Sequence, residues 1–174
     1  MTSLAHDHYD NLTSGAGRRV VHTLLATGNS SLLTILRIAL GVVMLPHGLQ
    51  KTLGWFGGYG FTGTMGGFTS MGVPAFLAFL VIAAESAGAV ALITGFTTRI
   101  AAFGIGATML VASQMHKANG FFMNWSGQQK GEGIEFFILA IGIAIAIMIG
   151  GSGAYSIDLA LTRKGQPQRN TSSA

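Results

Sequence analysis

Four long apolar stretches, separated by polar or glycine-rich segments, organise the chain from residue 31 onward. About 20 predominantly apolar residues suffice for a helix to cross the hydrocarbon core of a bilayer. The first stretch covers 31–53, with Ser30 or Ser31 placed to cap it through a side-chain oxygen. The second covers 74–95 and opens on Pro74, whose fixed φ and missing N–H suit a first helical turn. The third covers 98–116 and the fourth 134–151. The pattern predicts an all-α membrane protein, a bundle of four transmembrane helices within a domain over 31–161. Residues 1–30 and 162–174 read as polar tails, with Val20–Ala26 a candidate interfacial helix and with Asp158 and the Arg163-Lys164 pair marking the exit into the second tail. The N-terminal tail lacks the apolar core and small-residue cleavage site of a secretory signal. His6 and His8 read as tail residues in preference to a metal site shared with Asp7 and Asp10.

Charges inside the apolar pattern are the next signal. Glu85 is the only charged residue between Pro74 and Thr98, near the middle of the second stretch. A carboxylate at that depth is costly, so it faces the bundle or a wet cavity and takes a partner. Its neighbours Ala83, Ala84, Ser86, Ala87, Gly88 and Ala89 are small, which suits a close interhelical seam. The candidate partners are Arg37, His47 and Lys51 in the first stretch and His116 at the end of the third. On a helix Arg37, Gly41, Met44, Gly48 and Lys51 share one face, and His47 lies one turn before Lys51. Pro46 leaves the Val42 carbonyl without its helical partner, beside that histidine. Arg37 lies about 15 Å from His47 along the axis, and is expected to snorkel toward the nearer surface. Glu132 and Glu135 precede the fourth stretch and would share a face if helical there. Gly142, Ala146 and Gly150 form a small-residue ridge suited to packing on another helix.

His47, Lys51, His116, Glu132 and Glu135, with Lys117 beside them, thus collect in one half of the bundle. Three readings stay open. The charges form a structural ion-pair network, or they line a site for a small polar or quinone-like ligand. In the third, His47 and His116 hold a metal or haem; two histidines on separate helices carry no spacing signature, so no metal is expected and haem is disfavoured. No catalytic residue is assigned. Proton relay or ion transport remains as a minor variant.

Composition narrows the class. Of 174 residues 49% are hydrophobic and only 9% charged, against roughly 25% charged in soluble domains. The isoelectric point near 9.9 comes mainly from basic residues in the tails and beside apolar runs, so nucleic acid is not an expected partner. The chain has no cysteine, which removes disulfides, thiol relays, cysteine-ligated iron–sulfur clusters and c-type haem attachment. Arg18, Arg19, Arg99, Arg163, Lys164 and Arg169 fall on one side of the predicted topology and Lys51, Lys117 and Lys130 on the other. The positive-inside rule then puts both termini in the cytoplasm and loops 54–73 and 117–133 outside. Those loops carry Trp55, Phe56, Tyr59, Phe61, Phe68, Phe121, Phe122 and Trp125, as an aromatic belt or a lid. Gly58-Tyr59-Gly60-Phe61-Thr62-Gly63 matches a dinucleotide fingerprint, but no strand precedes it, and the match is rejected.

From about Leu32 to Leu161 the sequence resembles the DoxX family of four-helix membrane proteins. The matching residues are Arg37, His47-Gly48, Lys51, Gly54-Trp55-Phe56-Gly57-Gly58, Gly72-Val73-Pro74 and Glu85. They continue through Gly95-Phe96-Thr97-Thr98-Arg99, His116, Gly120-Phe121-Phe122, Gly131-Glu132-Gly133-Ile134-Glu135 and Tyr155-Ser156-Ile157-Asp158. The resemblance implies a multi-pass protein of a bacterial-type inner membrane, acting in quinone-linked redox or oxidative-stress metabolism. It makes quinone a candidate ligand and a partner redox protein or further copies of the chain candidate partners. The alternative is a non-catalytic membrane partner or small-solute carrier whose buried charges are structural.

Overall fold

The computed structural model describes residues 23–164 together with Gly17 and Val20. His6, Asp7, His8 and Asp10 lie outside the described residues, as do Val21 and His22 of the Val20–Ala26 segment, of which Val20 and residues 23–25 are helical. Among the described residues all regular structure is helical, with no strand. The helices are α1 (Ser31–Thr52), α2 (Gly60–Ser70), α3 (Ala75–Thr94), α4 (Thr98–His116), α5 (Glu135–Gly150) and α6 (Ile157–Lys164). Single 3-10 turns lie at Trp55–Gly57 and Lys117–Asn119.

The long helices begin and end where local chemistry dictates. Ser30 caps α1, its hydroxyl accepting from the Leu33 N–H at 3.4 Å, and the helix continues through Pro46. Gly95, at φ +71°, ends α3 in the left-handed conformation that glycine adopts without a Cβ penalty. By length and composition, α1 and α3 are long and apolar enough to cross a membrane. Helix α5 is as apolar but has 16 residues, about 24 Å. Helix α4 has 19 residues and carries Arg99, Ser113 and Gln114 near its ends.

Pairwise approaches give the topology. Gly41 lies against Ala89 and Leu92 while Gly48 lies against Glu85, so α1 and α3 run antiparallel. Gly104 meets Ala84 and Gly88 meets Ala101, which makes α3 and α4 antiparallel. Leu33 meets Gly150 at one end of α1 and His47 meets Phe136 at the other, so α5 is antiparallel to α1. Between the four helices Leu40, Met44, Leu92, Ile105, Ala144 and Ile147 are buried. Outside, Leu32, Ile35, Phe76, Phe103, Leu139 and Ile149 are exposed. Such a continuous apolar exterior belongs in a non-aqueous surrounding.

Three expectations change. Segment 54–73 is not a plain loop: Gly60–Ser70 forms α2, packed on α1 and α3. Glycines disfavour a helix, but Thr69 and Ser70 bond back to Met65, Gly66 and Gly67 carbonyls, and the Val73 N–H returns to Phe68. The small-residue ridge holds only in part: Gly150 packs closely against Leu33 of α1, but Gly142 is exposed. Ala140, Ala144 and Ile147 are the buried positions of α5, and a Cβ on Gly142 would meet nothing within 4 Å. Finally, Asp158 does not mark an exit into solvent; it is buried at the junction of α3, α4 and α6.

Candidate functional site

Gly48 fixes the centre of the site. A Cβ there would stand 2.5 Å from the Glu85 carbonyl oxygen and from the Ser86 Cα, so only glycine lets α1 approach α3 this closely. One turn further on, Lys51 lies beside Glu85, which is 4% exposed. The Lys51 Nζ donates to Glu85 Oε2 at 2.5 Å. The carboxylate is inside the bundle, whereas the lysine side chain is 22% exposed and reaches it from the mouth. That face of α1 is the one anticipated: Arg37, Gly41, Met44 and Gly48 are all buried.

The pair opens on a cavity of about 450 Å³ at the end of the bundle where α1 and α4 finish and α5 begins. Five of the seven residues singled out in the sequence line it: His47, Lys51, Glu85, His116 and Glu132. Its walls are otherwise soft and apolar, with Met44, Met109, Met115, Phe136 and Phe137 among them. The His116 ring stacks on Phe137 with centroids 5.2 Å apart. Its Nδ1 is buried and has no hydrogen-bond partner, an arrangement that needs explaining in a folded protein. His47 is exposed at the rim, tilted against Phe136 at 6.3 Å.

Glu132 and Glu135 do not share a helical face, because α5 begins only at Glu135. They fold the preceding loop instead. Glu135 Oε1 accepts from the Met123 N–H at 2.9 Å and from the Trp125 Nε1–H at 2.8 Å. Glu132 Oε2 accepts from the Asn124 N–H at 2.8 Å, and its carbonyl accepts from Asn119 Nδ2. The loop is thereby held so that Met123 completes one wall of the cavity, and Phe68 of α2 contributes another side chain.

Arg37 belongs elsewhere, and the expectation that it snorkels is overturned. It is 1% exposed, and all five guanidinium donors are engaged. Nε donates to Ser152 O at 2.7 Å, and Nη1 to Leu92 O and Ile93 O at 2.7 and 2.6 Å. Nη2 donates to Ala154 O and Tyr155 O at 3.3 and 2.8 Å. The Leu92 and Ile93 carbonyls are in the last turn of α3, where Leu92 O takes only a long bond of 3.3 Å from the Gly95 N–H and a cation is favoured. A guanidinium enclosed by carbonyl oxygens has no reason to reach for water. Its nearby counter-charge, Asp158, accepts from the Thr97 and Thr98 N–H groups at 2.8 and 3.0 Å and so caps α4. Asp158 went unrecognised as a core residue in the sequence. The signal available was its place two residues after Ser156, whose hydroxyl accepts from Leu159 N–H and starts α6.

Among the described residues no group of three or more His, Asp or Glu is arranged to hold a metal ion. The cavity lining offers an ammonium–carboxylate pair and imidazoles in an apolar wall, a set that can orient a carbonyl- or hydroxyl-bearing ring and exchange protons with it.

Comparison with known proteins agrees with this architecture. The DoxX family model matches residues 32–118. Inner membrane protein YqjF of Escherichia coli (strain K12) is 35% identical over 128 residues, covering 70% of this chain and 89% of that protein. A Bacillus subtilis (strain 168) protein named "Putative oxidoreductase CatD" is 29% identical over 124 residues, covering 71% of this chain and 82% of its own length. No solved structure matches. With half of the sequence matched by the family model and a relative of this identity along most of its length, the chain belongs to the DoxX family and is a membrane protein.

Proposed function

We propose that this protein is a multi-pass component of quinone-linked redox metabolism in a bacterial-type plasma membrane. In this reading α1, α3, α4 and α5 span the bilayer, both termini are cytoplasmic, and the cavity lies in the outer half. The observation that carries it is the cavity itself. About 450 Å³ falls within the range of small-molecule sites, which place a few polar groups in apolar and aromatic walls. Lys51 reaches Glu85 from the mouth, so its ammonium is available to a ligand carbonyl without leaving the carboxylate. His116 offers an unpartnered ring nitrogen. Quinone reduction takes up two electrons and two protons. Here Glu85, through Lys51, and the histidines handle the protons, while a partner redox protein supplies the electrons. The name of the Bacillus subtilis relative points the same way.

A second reading has one observation in its favour: Lys51 and Glu85 already satisfy each other. They then serve as a structural ion pair in a non-catalytic membrane partner or small-solute carrier. The two separate in one experiment. A tail-less benzoquinone is titrated into the protein in lipid nanodiscs, followed by quenching of Trp55 and Trp125 fluorescence. The quinone reading expects saturable binding, weakened about tenfold or more by Glu85→Gln or His116→Ala, as for loss of one charged or polar contact. Helical content should remain unchanged. If the ring does not saturate, or if both variants lose only thermal stability, the structural reading stands.

A further inference from the structure

The polar cavity does not stand alone. An apolar groove of about 590 Å³ runs along the α3–α4 pair. Ala84, Ala87, Gly88 and Gly104 are among the small residues that line it, and Leu80 and Phe103 give it bulkier sides. It forms because the two helices nearly touch: a Cβ on Gly104 would stand 3.2 Å from that of Ala84. From Thr97 to Val111 the groove follows about 21 Å of chain along α4 at 1.5 Å per residue.

The groove and the polar cavity share three lining residues, Val81 on α3 and Thr108 and Val111 on α4. Thr108 is buried and Val111 is exposed, so the shared seam leads from the bundle interior to its apolar exterior. A trough for membrane lipid alone has no need to abut a charged compartment. A site for a water-soluble solute has no need of an apolar trough. Together they fit one chemical class, an amphiphile with a compact polar ring and a long apolar chain. Resting on the quinone reading of the polar cavity, we infer that its ligand enters from the bilayer between α3 and α4. The ring seats at Lys51 and Glu85, and the chain leaves past Val81 and Val111 to lie in the α3–α4 groove.

Two measurements test this. In the first, the tail-less benzoquinone and its decyl-chain analogue are titrated into nanodiscs holding the wild type or Ala87→Phe. Ala87 is exposed and lines the groove but not the polar cavity. The chain partitions into lipid in every sample, so the informative quantity is the change between proteins. Ala87→Phe should weaken the decyl form about tenfold, the worth of roughly two buried methylenes, and leave the tail-less ring unchanged. Equal effects on both forms, or none, overturn the inference while leaving the ring site intact. The second measurement needs no quinone. A cysteine replacing Ala112 in the cavity wall is treated with dodecylmaleimide or with N-ethylmaleimide. Val81→Phe with Val111→Phe should slow the dodecyl reagent at least about tenfold, as expected of a blocked apolar passage, while the small reagent still reacts. If the dodecyl reagent reacts at an unaltered rate, the lateral entry is wrong whatever the ring result. Failure of the ring to bind to any protein, with the dodecyl reagent slowed, would instead remove the quinone and retain the passage.

Discussion

Two charged residues of α1 answer the demand of a buried charge in opposite ways. Lys51 meets a single carboxylate at a partly open mouth. Arg37 meets no carboxylate directly among its hydrogen-bond partners and spreads its charge over five carbonyl oxygens. The difference follows from side-chain chemistry, since a planar guanidinium has five donors in a fixed fork and an ammonium is a compact point charge. Arg37→Lys should therefore fail although the charge is kept. Hydrogen bonds to charged groups contribute about 1.5–3 kcal/mol each, and at least two would be lost, so the cost should be at least about 3 kcal/mol. That is a fall of roughly 6–12 °C in the unfolding midpoint for a chain of this size, measurable by thermal unfolding in detergent. A midpoint within about 2 °C of wild type would show that the carbonyl cage contributes little. A lone arginine in an apolar run signals burial or snorkelling equally well. The carbonyls that decide between them come from residues 92–93 and 152–155, remote in sequence, so only packing reveals them.

At the scale of elements, the two covers of the cavity are built differently. The loop before α5 is cross-linked by Glu132, Glu135 and Asn119, and Gly133 is glycine because a Cβ would strike the Phe121 and Phe122 carbonyls. Helix α2 has no buried residue, and the hydroxyls of Thr69 and Ser70 bond only to carbonyls within the helix. Gly66 and Gly67 have open space where a Cβ would go, so packing does not require them. They only loosen the helix, each by about 0.8–1 kcal/mol relative to alanine. Gly66→Ala with Gly67→Ala should then stabilise α2 and slow amide exchange there by about tenfold or more, with exchange in α1 and α3 unchanged. Unaltered exchange in α2 would mean that its opening is controlled by the flanking turns. The α1–α3 seam was legible in the sequence because small residues at helical spacing have one evident use. Helix α2 was not, because its glycines read as loop and tertiary contact outweighs propensity.

For the whole molecule, the apolar exterior and the interior pairing of charges belong to a membrane protein, and the proposed orientation is open to direct test. The chain has no cysteine, so single cysteines can be introduced without a background. Cysteines replacing Ser70 or Gln128 should react with a membrane-impermeant maleimide in intact cells, and one replacing Ala160 only after permeabilisation. The reverse pattern would invert the topology. The sequence by itself determined the helical class, the positions of the four apolar runs, the family and the seam holding Glu85. These depend on hydrophobic length, small-residue spacing and the cost of an unpaired charge in an apolar run, all of which are written locally. Tertiary structure alone decided which cation meets Glu85, that Arg37 and Asp158 lock the opposite end, and that a polar cavity adjoins an apolar groove. Those facts depend on where residues distant in the chain arrive in space, and no local periodicity encodes that.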